Sequence, residues 1–407
     1  MTFLKIFKIL KFSILISLFL MTLLKYINLK KEIYEILIEF IENQNSEECE
    51  TKYIEILEKL DFLNLDKNVE ELVSMFRLIA KISNNHHRNY NFIKKIEQMI
   101  LLLNQKSKQS ISNSQLFYIF AINKLTIQIL FRNNLIKMDS SIVDYIIQRD
   151  DYRYFFYFEI KSYINEEQQK SIEKELNLID PNILKILCTN HDLSENDSYI
   201  CSLIREDLVE EFISYVNKTN LSLSSTIKPS IFETNSFLQK QENTTLIEYS
   251  AFFGSIQIFN YLRLNNVQLT PSLWMYAIHS NNAELIHLLE ENHIQPEDPS
   301  YEDCFFESIK CHHNNFANYI HDNLLTKKEH HSKYKHFYNY SIRYIIPKSP
   351  DCSCNEIIFK YQNYSLFPEN FDLKDIFFYL YRYGYSNIVN FLLQMKMDNI
   401  NSRASVY

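Results

Sequence analysis

Thr244–Asn292 reads TTLIEYSAFFGSIQIFNYLRLNNVQLTPSLWMYAIHSNNAELIHLLEEN, and it carries one pattern twice. The first copy runs through Thr245, Ile247, Ser250 and Ala251 to Gly254, then Ile256, Ile258, Phe259 and Leu262. The second runs through Ser272, Trp274, Ala277 and Ile278 to Asn281, then Ala283, Leu285, Ile286 and Leu289. Small residues before the turn let two helices approach closely. Gly and Asn at the turn are the residue types that best tolerate a left-handed helix C-cap. Apolar residues four, five and eight positions later form the buried stripe of a second helix. One such pair cannot bury its apolar face alone, so the stretch predicts a slice of a stacked array.

The remainder of the chain is compatible with that reading. In 407 residues there are only two glycines, Gly254 and Gly384, where average usage of about 7% would supply roughly 28. Gly-rich dinucleotide loops, P-loops, kinase phosphate loops, nucleophile elbows and EF-hand loops are thereby excluded. Hairpin-rich β architecture is disfavoured too, because its tight turns need positive φ. A net charge of −8 gives no electrostatic case for nucleic acid. Seven scattered cysteines form no disulfide framework and point to a reduced, cytoplasmic chain.

Met1–Leu24 contains the uncharged run Phe12–Leu24, flanked by Lys5, Lys8 and Lys11 and by Lys25, Lys30 and Lys31. It reads as a membrane anchor with snorkelling lysines, as an apolar helix packed on the next domain or an extension from a misread start, or as a cleaved signal that lacks a small-residue cleavage site. Residues 28–196 read as successive helices, with apolar residues at helical spacing in Ile33–Ile41, Ile54–Leu60 and Leu72–Ile79 and breaks at Asn43–Ser46, Asn84–Asn91 and Asn104–Ser114. The aromatic Tyr152–Tyr163 segment reads as core packing. No chemistry is legible in this half.

Further turn anchors fall at Arg205, His312 and Gly384. The Arg205 anchor has Cys201 and Ser202 before it and Val209 and Ile213 after. His312 has Ser308 and Ile309, then Phe316, Ala317 and Ile320. Gly384 has Leu380 and Tyr381, then Ile388, Val389, Leu392 and Leu393. Thr219–Glu242, Ser- and Thr-rich with Pro229, interrupts the periodicity and reads as an inserted ordered loop or as the long first finger of the array.

The helix pair A-x-x-G-x-x-x-I-x-x-x-L at Ala251, Gly254, Ile258 and Leu262 resembles the ankyrin repeat. The longer string SLSSTIKPSIFETNSFL…TLIEYSAFFGSIQIFNYL…LTPSLWMYAIHSNNAELIHLLEENHI is similar to one branch of the large, divergent ankyrin-repeat family of a parasitic flagellate. The resemblance covers 197–297 and residues 384–394. The hydrophobic start and the absence of glycine at the finger tips depart from it. Anchor spacings of 49, 27, 31 and 72 compare with about 33 for an ankyrin unit, which predicts one degenerate unit hidden within Lys327–Asp372. The chain is therefore expected to be all-α: a hydrophobic segment 1–27 that the resemblance does not account for, then, as the resemblance implies, an irregular helical domain 28–196, a stacked ankyrin-like helix-turn-helix solenoid 197–395 and a tail 396–407. Its implied function is a non-enzymatic scaffold that binds another protein through finger loops such as Asn265–Thr270 and His293–Tyr301. A membrane-anchored version tethered by Phe12–Leu24, and an enzyme with an unrecognised site in the N-terminal half, are the alternatives.

Cys304, Cys311, His312, His313, His330, His331, Cys352 and Cys354 are the residue types that zinc prefers. They show no C-x-x-C and no His pair at ligand spacing, so no metal, cofactor or catalytic residue is expected. His279 and His287 lie near no recognisable nucleophile; His279 reads as a helix-end cap or an inner-groove residue, and His312 as a residue that turns the chain. Glu210–Glu211 and Glu290–Glu291 read as solvated faces, and Trp274 as core. Asn-x-Ser/Thr triplets at Asn217, Asn243, Asn339 and Asn363 are expected by chance in an Asn-rich chain.

Overall fold

A computed structural model describes residues 25–88, 91–106, 111–189, 194–325, 352–367 and 373–383, with Tyr385 and Val389. Phe12–Leu24, His330, His331, the Gly384 anchor and the 396–407 tail lie outside the described residues, as do the side chains of Cys352 and Cys354. The chain is all-α: among the described residues the only β pairing is an isolated bridge between Thr226 and Thr245. No helix there is long and apolar enough to cross a membrane.

The N-terminal block is built from α1 (25–42), α2 (Ser46–Asp61), α3 (Val69–Asn85), α4 (Phe92–Lys106), α5 (Asn113–Phe120), α6 (Lys124–Arg132), α7 (Ser140–Ile147), α8 (Asp150–Phe155), α9 (Tyr157–Ile160), α10 (Glu166–Ile179) and α11 (Ile183–Thr189). Asparagine sets many of the boundaries. Asn45, Asn68, Asn123 and Asn165 each accept a backbone N–H at a helix start, which satisfies one of the donors a helix leaves orphaned there. Asn also fills six of the eleven non-glycine positions with positive φ among the described residues, substituting for the missing glycine.

Tyr34, Leu37, Phe76, Ile79, Phe117 and Phe156 lie at the centre of this block's core. Tyr152, Phe155 and Tyr157 join it, so the aromatic segment is packing, as its composition suggests. The same interior holds an ion pair between Lys30 and Glu71, whose carboxylate also accepts from Tyr26 Oη at 2.6 Å.

A row of helix pairs follows. α12 (Tyr199–Arg205) pairs with α13 (Val209–Thr219), α14 (Leu246–Phe253) with α15 (Ile256–Leu264), α16 (Leu273–Ser280) with α17 (Ala283–Glu291), and α18 (Glu302–Lys310) with α19 (Asn314–Tyr319). The first members pack each on the next, α12 on α14, α14 on α16, α16 on α18, and α18 on α20 (Cys352–Tyr361). Trp274 is fully buried in the second core, with its Nε1–H donating to Ile294 O at 2.7 Å. Residues 220–245 contain no α-helix, only a short 3-10 turn at Leu238–Lys240.

Gly254, Asn281 and His312 have φ of 71, 53 and 62° and close the first helices of their pairs, as their positions in the pattern require. The first pair needs a correction. Its left-handed residue is Asp207 (φ 51°), two positions beyond Arg205, because α12 runs on through Arg205 and turns only after Glu206. Gln362 (φ 58°) closes α20 in the same way, and it falls inside the segment expected to hide a degenerate unit. α20 and α21 (Leu373–Arg382) nevertheless return to the N-terminal core through Phe359, Tyr364, Tyr379 and Leu380. The two ends of the described chain therefore share one interior, and the second core lies between them in sequence.

Candidate functional site

The residue after each left-handed turn reaches sideways to the preceding pair. Ser255 Oγ donates to Ile204 O at 2.5 Å, His313 Nδ1 to Ile278 O at 2.8 Å and Asn363 Nδ2 to Ile309 O at 3.1 Å. In each case the acceptor is the carbonyl three residues before the previous left-handed residue. Asn282 makes the fourth rung one turn further on, Nδ2 to Gly254 O at 3.4 Å. Asp207 adds a cross-pair cap, accepting the backbone N–H of Gln257 and of Ile258, both at 3.0 Å. The carbonyls of Ile204, Ile278 and Ile309 are buried at helix ends, where an unmet partner costs about 1–3 kcal/mol each.

The N-terminal block docks along this same line of turns. Tyr34 Oη lies 3.0 Å from His312 Nδ1, and Asn281 Nδ2 donates to Glu42 Oε1 at 3.1 Å. At the end of α3, His86 Nδ1 donates to Cys311 O at 2.8 Å, and His87 Nδ1 stands 3.2 Å from His313 Nε2. The seam thus collects His86, His87, His312 and His313. Burial, and after it the neighbouring His86, hold His87, His312 and His313 well below the ordinary imidazole pKa, so these rings are neutral.

Next to the seam runs a second chain of polar contacts. Cys311 Sγ lies 3.4 Å from His279 Nδ1, and His279 Nε2 lies 2.8 Å from Glu307 Oε1. Thiol, imidazole and carboxylate in that order are the parts of a nucleophilic triad. The electrostatics oppose that role. Burial pushes the Cys311 thiol well above its ordinary pKa, and the Glu307 charge pushes the same way. Burial also lowers His279 and outweighs its hydrogen bond to Glu307. Burial would raise Glu307, but the His279 hydrogen bond and the Lys310 charge win and hold it down to about 2. The consistent state is a protonated thiol donating to a neutral imidazole, which donates to a carboxylate. The His279 ring packs tilted against Phe237 at 4.1 Å, and His279 and Cys311 are both buried, so neither group is presented to a substrate.

Of the metal-preferring residues of the sequence, the fold brings Cys311, His312 and His313 to the seam. Cys304 is buried in the second core, where burial raises its thiol to about 12. His287 is exposed and paired with Glu291 at 3.1 Å. Glu210, Glu211 and Glu291 are exposed, while Glu290 accepts from Tyr319 Oη at 2.8 Å. His279 is neither a helix-end cap nor exposed to a groove; it is a buried link between Cys311 and Glu307. Sequence reasoning missed His86, His87, Glu42 and Glu307. The available signal was that His86–His87 repeats the His312–His313 doublet directly after a helix end.

Compared with protein-family models, with curated proteins and with solved structures, the chain matches none.

Proposed function

We propose that the chain is a non-enzymatic interaction scaffold: an ankyrin-like row of helix pairs, held along its turns by the N-terminal block, that binds another protein with its loop ends. The observation that carries this is the repeat of left-handed turns at Asp207, Gly254, Asn281 and His312, with successive pairs joined by side-chain rungs. Turns and inter-pair loops lie at opposite ends of antiparallel helix pairs. Docking of the N-terminal block on the turns therefore leaves the loops 265–272 and 292–301 for recognition. Asn265, Asn266 and Gln268 in the first and His293, Gln295 and Glu297 in the second are exposed. A cleft of about 330 Å³ opens beside the second loop, with Asp298, Asp303, Glu307 and Lys310 on its walls. The protonated state of Cys311 further favours binding over covalent chemistry.

The test is cross-linked capture of the full-length chain from its own cells, alongside a Gln268→Arg/Gln295→Arg variant and an outer-face His287→Gln control. One protein captured by the wild type and the control but lost with the loop variant supports the scaffold. Capture that is indifferent to both loops sinks it.

A further inference from the structure

We propose that His86, His87 and His313 form a binding site for a divalent d-block cation, Zn2+ in the first instance, which clamps the end of α3 to the turn between α18 and α19. One ring nitrogen from each of the three lies within 4.8 Å of the other two. The tightest pair, His87 Nδ1 and His313 Nε2, is 3.2 Å apart. Two nitrogens on a zinc tetrahedron with Zn–N near 2.0–2.1 Å are about 3.3–3.4 Å apart, so this edge is already the right length.

Second contacts orient the rings as metal-binding histidines require. His313 commits Nδ1–H to Ile278 O and His86 commits Nδ1–H to Cys311 O, which turns their other nitrogens into lone-pair donors. His86 Nε2 is buried without a hydrogen-bond partner, and Glu42 Oε1 lies 3.4 Å away. Glu42, about one-third exposed, supplies negative charge at the rim. His87 is the partly exposed member and marks the way in.

A hydrogen bond between His87 and His313 accounts for their distance alone. It leaves the buried His86 Nε2, which has no hydrogen-bond partner, unexplained. The nearby His279, Glu307 and Cys311 group is a weaker candidate, because its donors and acceptors already satisfy one another and Lys310 neutralises Glu307.

The experiment uses the tag-free full-length chain, stripped with a chelator and titrated with Zn2+ and, separately, Co2+. The expected result is one Zn2+ retained per chain, a melting temperature that rises with Zn2+ and falls back with chelator, and a tetrahedral Co2+ spectrum lacking a thiolate charge-transfer band. His87→Gln and His313→Asn should each lower Zn2+ affinity at least about tenfold, while His287→Gln leaves it unchanged. His313→Asn retains a side-chain donor for Ile278 O, the role that Asn363 plays one pair later, and so separates ligand loss from fold loss. Failure of the wild type to retain Zn2+, a thiolate band, or folded variants that bind like the wild type would each overturn the proposal. Because the wild-type stoichiometry and spectrum decide by themselves, a variant that fails to fold does not rescue it.

Discussion

Tyr34 Oη meets His312 Nδ1 at 3.0 Å across 278 residues of chain. Asn314 Nδ2 also approaches Tyr34 Oη, at 3.3 Å, so the tyrosine proton points to the imidazole. α1 is thereby tied to a left-handed turn of the helix row, in a fully buried position. His312, which the sequence presents as a residue that turns the chain, also fastens the two halves together.

Tyr34→Phe keeps the ring and deletes the bond, leaving His312 with no polar partner at either nitrogen. We expect a loss of about 1–3 kcal/mol in urea unfolding monitored by circular dichroism. A change below about 0.3 kcal/mol would mean that the seam contributes nothing to folding.

Gly254 has φ of 71°, yet a Cβ built there meets only ordinary contacts, Asn282 Nδ2 at 3.5 Å and Ser280 Cβ at 3.6 Å. Backbone strain alone should then set the penalty, about 1–2 kcal/mol for Gly254→Ala. Gly254→Asn should cost measurably less, since Asn281 does the same work one pair later. Equal losses for Ala and Asn would show that side-chain space governs the site. Denaturant midpoints of the two variants distinguish these outcomes.

Lys30 and Glu71 are ion-paired in the interior, both side chains nearly inaccessible. Lys30→Met strands a buried carboxylate, and a destabilisation of about 3–5 kcal/mol is expected. The double change Lys30→Met/Glu71→Leu should recover most of it, as buried pairs seldom outdo apolar replacements. Chemical denaturation of the two variants side by side checks this, and a double variant as weak as the single one would refute it.

His279, His312 and His313 are buried and held below the ordinary imidazole pKa of 6.5. Above 6.5 both folded and unfolded chains carry neutral rings, and their contribution does not change with pH. Below it the unfolded chain binds protons that the folded seam excludes. Stability should therefore fall on acidification, by up to about 1.4 kcal/mol per pH unit for each ring. Glu307, held down to about 2, adds its own loss only once the pH drops below 4.5. Denaturant midpoints in chelator at about pH 7.5 and about pH 5.5 give the slope; a flat profile would show that these rings protonate in place.

Much of the helix row was legible from Thr244–Asn292, because helical periodicity and left-handed turns are written in residues close together. The Arg205 anchor was misplaced for the same reason: with neither Gly nor Asn at that turn, local chemistry gave no register, and contacts to Gln257 and Ile258 hold Asp207 there instead. In the N-terminal block, breaks at 121–123 and 133–139 divide helices that apolar spacing alone did not separate. Asn123 caps one of them and also donates to Ser83 O at 3.2 Å, a tertiary contact.

Residue type and spacing by themselves determined that this chain is helical, that Gly254, Asn281 and His312 turn it, and that Trp274 is core. Those outcomes depend on backbone preference and periodicity, which act over a few residues. Only the tertiary structure decided that α20 and α21 close onto the first core, that Cys311, His279 and Glu307 form one chain, and that His86 and His87 meet His313. The last pairing spans 226 residues. It exists because two buried faces fit against each other, and no spacing within either half encodes that fit.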